Sequence, residues 1–188
     1  MKWWWVRHGP THAKSMVGWT DLAADLTDIA ALGRLADHLP DAPIISSDLA
    51  RAAATADAIQ KQRTRLDHDP RIREINFGAW ENRTFADVEV DDPKLIRKYW
   101  EDPGIHAPEG GESWDQVEAR VNGFVDQFVH DTDDVIAVAH MGTILTQVRR
   151  ARNVTAYEAF GQKIDNLSVT CLEVQNGIWT VHTVNHLP

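Results

Sequence analysis

The sequence predicts an α/β fold with a mainly parallel sheet and an antiparallel hairpin at one end. Three observations carry that reading. Val135 to Ala139 is a run of five apolar residues without alternation, which suits a strand buried on both faces. Short apolar segments alternate along the chain with stretches of helical periodicity, the pattern of β–α–β units. Near the C-terminus, two strand-like segments flank Asn176-Gly177, the strongest short signal for a hairpin turn.

Taken in order, Lys2 to Val6 is apolar and aromatic and ends abruptly at Arg7-His8-Gly9-Pro10, so it reads as a buried first strand. Thr27 offers an N-cap to a helix whose Leu32, Leu35 and Leu39 share one face, and Pro40 closes it. Pro43 to Ile45 reads as a second short strand. Ser46-Ser47-Asp48 offers caps to an alanine-rich helix running to about Gln60. Leu66 to Phe77 is extended and mixed in character. Between Gly78 and Gly111 the chain turns polar, and Pro93, Pro103 and Pro108 break up short helical pieces around Leu95 to Trp100. Ser113 and Gln116 match a capping box, opening a helix with Trp114, Val117, Val121, Phe124, Val125 and Phe128 on one stripe. The strand Val135 to Ala139 delivers His140-Met141-Gly142, and a further helix is expected from about Thr143.

Composition narrows the function. At 188 residues the chain suits one well-cored domain over 1–188. A net charge of −9 argues against nucleic acid or an acidic membrane surface as a partner. Cys171 is the single cysteine, so no intramolecular disulfide forms; it reads as a small buried hydrophobe. The opening MKWWWVRHG has too few apolar residues before its charged pair for a signal peptide, and no stretch approaches a membrane span. A cytoplasmic protein is the expectation.

Two strand ends look alike: WWWV leads to Arg7-His8-Gly9 and VIAVA leads to His140-Met141-Gly142. Ligands of open α/β sheets bind beyond the carboxyl ends of the strands, so both histidines are expected at one crevice. The second strand leads to Arg51, in or near the first turn of its helix. The macrodipole disfavours a cation there by a few tenths to about 1 kcal/mol. An anion seated between the helix end and the guanidinium would account for it; a solvated surface arginine is the alternative. Arg7, Arg51, His8 and His140 together suit phosphoryl transfer. Guanidinium groups hold phosphate oxygens in bidentate fashion, and a neutral imidazole held in one tautomer is a competent nucleophile for phosphorus.

With these residues in view, the chain resembles the histidine phosphatase superfamily, the phosphoglycerate mutase-like proteins. The resemblance rests on six ordered stretches spanning most of the chain: Arg7 to Thr11, Gly18 to Asp21, Ser46 to Ala52, Glu74 to Glu81, Gly110 to Ser113, and Ala139 to Gly142. It implies a three-layer α/β/α sandwich and a phosphohistidine on His8. It also implies a phosphoryl clamp of Arg7, Arg51 and His140, with the Met141 N–H adding a donor. Glu74 would protonate the leaving oxygen and then activate water; that role rests on the resemblance. Neither a metal nor an organic cofactor is implied. The expected substrate is a small phosphorylated metabolite, with inorganic phosphate as product.

This chain departs from the family pattern at Pro10, Lys14, Ala30 and Met141, which bears on substrate identity and removes no catalytic group. Lys14 reads as a surface lysine that could also face the phosphate. The segment 83–108 is expected to cover the crevice and select the alcohol, from sugar phosphates to nucleotide-like esters. His12 follows His8 by four residues, but Gly9 and Pro10 between them speak against the helix a zinc pair needs; His182 and His186 read as structural or solvated. Trp3, Trp4 and Trp5 read as core and sheet packing, with a tryptophan-rich surface as one route to a homodimer. Three functions follow in order: a metal-independent phosphatase, a phosphoglycerate mutase using the same site, and a non-catalytic phosphate-binding protein.

Overall fold

The computed structural model describes residues 1–128, 130 and 132–188. Five strands, β1 (Lys2–Arg7), β2 (Ile44–Ser46), β3 (Asp134–Ala139), β4 (Val169–Gln175) and β5 (Ile178–His186), form one sheet in the order β2-β3-β1-β4-β5. The first three are parallel, and β4 and β5 run antiparallel at one edge. The hairpin turns at Asn176 and Gly177, both at positive φ, as its two-residue sequence predicts.

Side-chain alternation along β1 divides the core. Trp3 and Trp5 point to one face and stack on each other with centroids 5.3 Å apart. They pack with α5 (Trp114–Gln127) and α6 (Met141–Arg152). Val6 points to the other face, under α1 (Ile29–His38) and α2 (Ala50–Ile59). Ile136 and Val138 of β3 join the second face, and Ala137 and Ala139 the first. Helices therefore cover both faces, giving the expected three layers. Helices α3 (Phe85–Asp91), α4 (Pro93–Glu101) and the short α7 (Ala156–Phe160) extend the first face. No helix among the described residues is long and apolar enough to cross a membrane.

The Ser113/Gln116 capping box is present. Other boundaries differ from expectation. Asp28, not Thr27, caps α1, its carboxylate accepting from the Ala31 N–H, while Thr27 is turned to Asp25. None of Ser46, Ser47 and Asp48 caps α2. Asp48 is drawn off by Arg73, and the Ala50 N–H donates instead to Asp21, 29 residues upstream. Between Leu66 and Phe77 there is no strand; Pro70–Ile72 forms a 3-10 turn capped by Asp69. Helix α6 begins at Met141, two residues before the expected Thr143, with His140 as its N-cap residue. Of the tryptophans, Trp3, Trp5, Trp80 and Trp114 are buried, Trp19 is exposed, and Trp4, Trp100 and Trp179 are half-buried.

Candidate active site

Three parallel strands end at the same edge of the sheet; β1 passes directly into His8 and β3 into His140, and β2 leads within five residues to Arg51. The His8 N–H donates to the Ala139 carbonyl at 3.1 Å, which locks the end of β1 to the end of β3. As a result, His8 and His140 face each other with ring centroids 5.0 Å apart, despite lying 132 residues apart in the chain. Strand β2 hands over to α2, and Arg51 reaches from its first turn so that its Nε lies 3.2 Å from His8 Nε2.

The tautomer of His8 is fixed by its partners. Nδ1 lies 2.6 Å from the Gly9 carbonyl, which can only accept, so Nδ1 carries the proton. Nε2 then presents its lone pair to Arg51 and the cleft. Burial, with help from the Arg51 and Arg7 charges, pulls the His8 pKa down to about 3. His8 is therefore a neutral imidazole throughout the physiological range. His140 is fully buried, and burial, followed by the proximity of His8 and of Arg51, holds it neutral as well. Neither of its ring nitrogens has a hydrogen-bond partner among the described residues.

Arg51 is 1% exposed, which overturns the reading of a solvated surface arginine. The anion at its helix end is Asp21, whose carboxylate satisfies the Ala50 N–H. Arg51 itself is gripped by the Gly18 and Thr20 carbonyls at 2.6 and 2.9 Å. Those carbonyls sit on a loop organised by Glu81, which accepts from the backbone N–H groups of Gly18, Trp19, Thr20 and Phe77 and from the Thr20 hydroxyl. Arg7 donates to the Ile164 carbonyl at 2.6 Å. Burial lowers the pKa of both arginines from the usual guanidinium value, opposed by the Glu74 carboxylate; guanidinium groups stay charged nonetheless.

Glu74 is 7% exposed and oriented by two backbone donors, the Ile75 N–H at 2.9 Å and the Gly142 N–H at 3.0 Å. The second is a free N–H of the first turn of α6. Gly142 is required for this approach, since a Cβ there would lie 2.4 Å from Glu74 Oε1.

Arg7, His8, Arg51, Glu74 and Met141 line one cleft of about 300 Å³, and Lys14 is both solvent-exposed and part of its wall. His140 packs against His8 at a tilt and is not itself among the lining residues. Segment 83–108 contributes Thr84, Phe85 and Trp100, as expected of a cover. Sequence reasoning placed Asp21 and Glu81 in two of the ordered stretches without a role for either, and missed Thr55, Asn166 and Phe160. Thr55 accepts from the Gly9 N–H, and Asn166 donates to the His8 carbonyl, so together they brace the peptide that joins His8 to Gly9. His12, by contrast, pairs with Asp25 at the surface. His182 pairs with Glu173 and His186 packs on His38, far from the cleft. Among the described residues, no cluster of three or more histidine, cysteine, aspartate or glutamate side chains is arranged to hold a metal ion.

The sequence model of the histidine phosphatase superfamily, branch 1, matches residues 3–187. The chain belongs to that superfamily. Among solved structures of similar fold is YhfR of Bacillus stearothermophilus, 25% identical with a TM-score of 0.89, covering 100% of this chain and 98% of that one. Among curated relatives, a bifunctional protein of Mycobacterium tuberculosis is 32% identical over 173 residues, 90% of this chain and 46% of that protein. The chain thus spans about half the length of the first curated relatives it matches. The adenosylcobalamin/alpha-ribazole phosphatase of Salmonella typhimurium is 24% identical over 194 residues, covering 98% of this chain and 96% of that protein.

Proposed function

We propose that residues 1–188 act as one catalytic domain, a phosphomonoesterase that hydrolyses a small phosphorylated metabolite through a phosphohistidine on His8. The observation that carries this reading is the state of His8: neutral, protonated on Nδ1 by its bond to the Gly9 carbonyl, with its Nε2 lone pair turned to Arg51 in the cleft. Membership of the superfamily and the phosphatase among the similar proteins support it. A single buried, free cysteine agrees with a cytoplasmic site of action.

In the first half-reaction His8 Nε2 attacks phosphorus, forming the P–N bond as the ester P–O bond breaks. Arg51 exchanges its contact with Nε2 for a phosphoryl oxygen, and Arg7 takes another, so charge on the equatorial oxygens is met by two fixed cations. The free N–H groups at the start of α6, Met141 included, add to that field. His140, neutral and packed against His8, takes a phosphoryl oxygen as its hydrogen-bond partner. The carboxyl of Glu74 gives its proton to the departing alkoxide. In the second half-reaction the Glu74 carboxylate takes a proton from water, the oxygen attacks phosphorus, and the P–N bond breaks to release phosphate.

The test is phosphate release from p-nitrophenyl phosphate by wild type and His8→Ala with EDTA present. Turnover in wild type and none in the folded variant is the expected result. Equal turnover in both proteins would overturn the role of His8. Interconversion of phosphoglycerates with little phosphate release would replace the phosphatase with a mutase.

A further inference from the structure

The cleft has two unlike halves. One carries Arg7, His8 and Arg51 and suits a phosphoryl group. The rest of the lining is dominated by Phe77, Phe85, Trp100 and Phe160, with Met16 and Met141 beside them. We infer that the alcohol half of the substrate is a flat apolar or aromatic group, so that the substrate is a phosphomonoester of a ring-bearing alcohol and not of a sugar or other polyol. This rests on the phosphomonoesterase reading and names its substrate class.

The aromatic lining is built in advance of any ligand. Trp100, from α4, meets Phe160, from α7, edge-on with centroids 4.9 Å apart, and Phe77 lies 6.3 Å from Trp100 at a tilt. Phe160 is in turn held edge-on against the buried Trp114 at 4.6 Å. The rings are therefore fixed by the core behind them and cost little conformational entropy on binding. Phe85 is the first residue of α3, 43% exposed, and set in place by the Thr84/Asp87 capping box. An apolar ring of that size left in water at the mouth of a cleft is a ready stacking surface.

A polyol placed against this wall would exchange water for aromatic faces, whose one polar atom is the buried Trp100 Nε1–H, and leave most of its hydroxyls unpartnered. The uncharged polar side chains of the lining, Thr11, Ser15 and Thr84, all come from two short loop segments and none from α4 or α7. A ring-bearing alcohol loses nothing there and gains offset or edge-on contacts.

The experiment compares esters whose leaving oxygens are alike. For 2-phenylethyl phosphate against glycerol 3-phosphate, kcat/KM is expected to favour the phenyl ester by at least about tenfold. Trp100→Leu and Phe85→Ala should shrink that ratio, chiefly by raising KM for the phenyl ester, with folding checked by circular dichroism. Calorimetric binding of 2-phenylethylphosphonate against methylphosphonate reads the same preference without turnover. Equal kcat/KM for the two esters, or a preference for glycerol 3-phosphate, would overturn the inference and leave the phosphatase intact. Tight binding of the phenyl phosphonate without hydrolysis of any ester would uphold the wall's preference and overturn the phosphatase. Equal binding of both phosphonates would overturn the inference whatever the turnover.

Discussion

Glu74 accepts from the Ile75 and Gly142 N–H groups chiefly through Oε1, while Oε2 has only a longer 3.2 Å contact with Gly142. One oxygen thus anchors the group and the other remains the better placed to exchange a proton. General acid catalysis contributes about 10²–10⁴-fold, and most where the leaving group is a poor one. Glu74→Gln should lower kcat on an alkyl phosphate by about a hundredfold or more and lower it much less on p-nitrophenyl phosphate. Equal losses on the two esters would remove the acid role. At this scale the sequence was informative about His8, His140, Arg7 and Arg51, because strand ends followed by histidine or arginine carry a recognisable chemical logic. Glu74 was legible only through its family motif. Its placement depends on a donor at Gly142, 68 residues away, which no local pattern announces.

The loop Gly18–Thr20 shows how an element without regular structure comes to be rigid. Glu81 gathers its N–H groups, leaving the Gly18 and Thr20 carbonyls directed at Arg51. Glu81→Gln turns one acceptor oxygen into a donor facing other donors, so the loop should loosen and take Arg51 with it. We expect KM for p-nitrophenyl phosphate to rise and kcat/KM to fall by about ten- to a hundredfold, the scale of a small misplacement of a clamping group. A lowered melting temperature with unchanged KM would make Glu81 a brace for the fold alone. Helix boundaries show the same limit of local reading. Asp28 beside Thr27 offers an equally good cap, and the cap of α2 arrives from Asp21 across the loop. Cores were easier: the apolar stripe of α5 and the unbroken apolar run of β3 are properties of contiguous sequence, and both are buried as expected, Phe128 alone falling just past the helix end and half-buried.

For the molecule as a whole, two neutral histidines at the carboxyl edge of the sheet set a stability dependence on pH. An unfolded histidine titrates near its usual value of about 6.5, whereas burial pulls folded His8 down to about 3 and holds His140 well below the usual value. Below that upper value the unfolded chain binds more protons than the folded one, so stability is fully present above it and is lost as pH falls toward the folded pKa. Each histidine contributes a slope of up to about 1.4 kcal/mol per pH unit in that window. Urea denaturation between pH 7.5 and 4.5 should show wild type losing stability more steeply than His8→Gln; equal slopes would mean His8 is not held neutral by the fold. The fold class was legible at this scale from strand and helix alternation, while the packing of α4 and α7 against the cleft was not, since Trp100 and Phe160 meet only in three dimensions. The stacked Trp3 and Trp5 have a consequence for the cleft as well. A strand advances about 3.3 Å per residue and inverts its faces with each step, so a slip of β1 along β3 by one residue would turn both indoles out of the core and draw His8 away from His140. The two indoles act as a key in a lock: the alignment of the imidazoles is set from about 10 to 16 Å away by residues that never touch a phosphate. Substitutions of these tryptophans by small residues would therefore masquerade as damage to the chemistry.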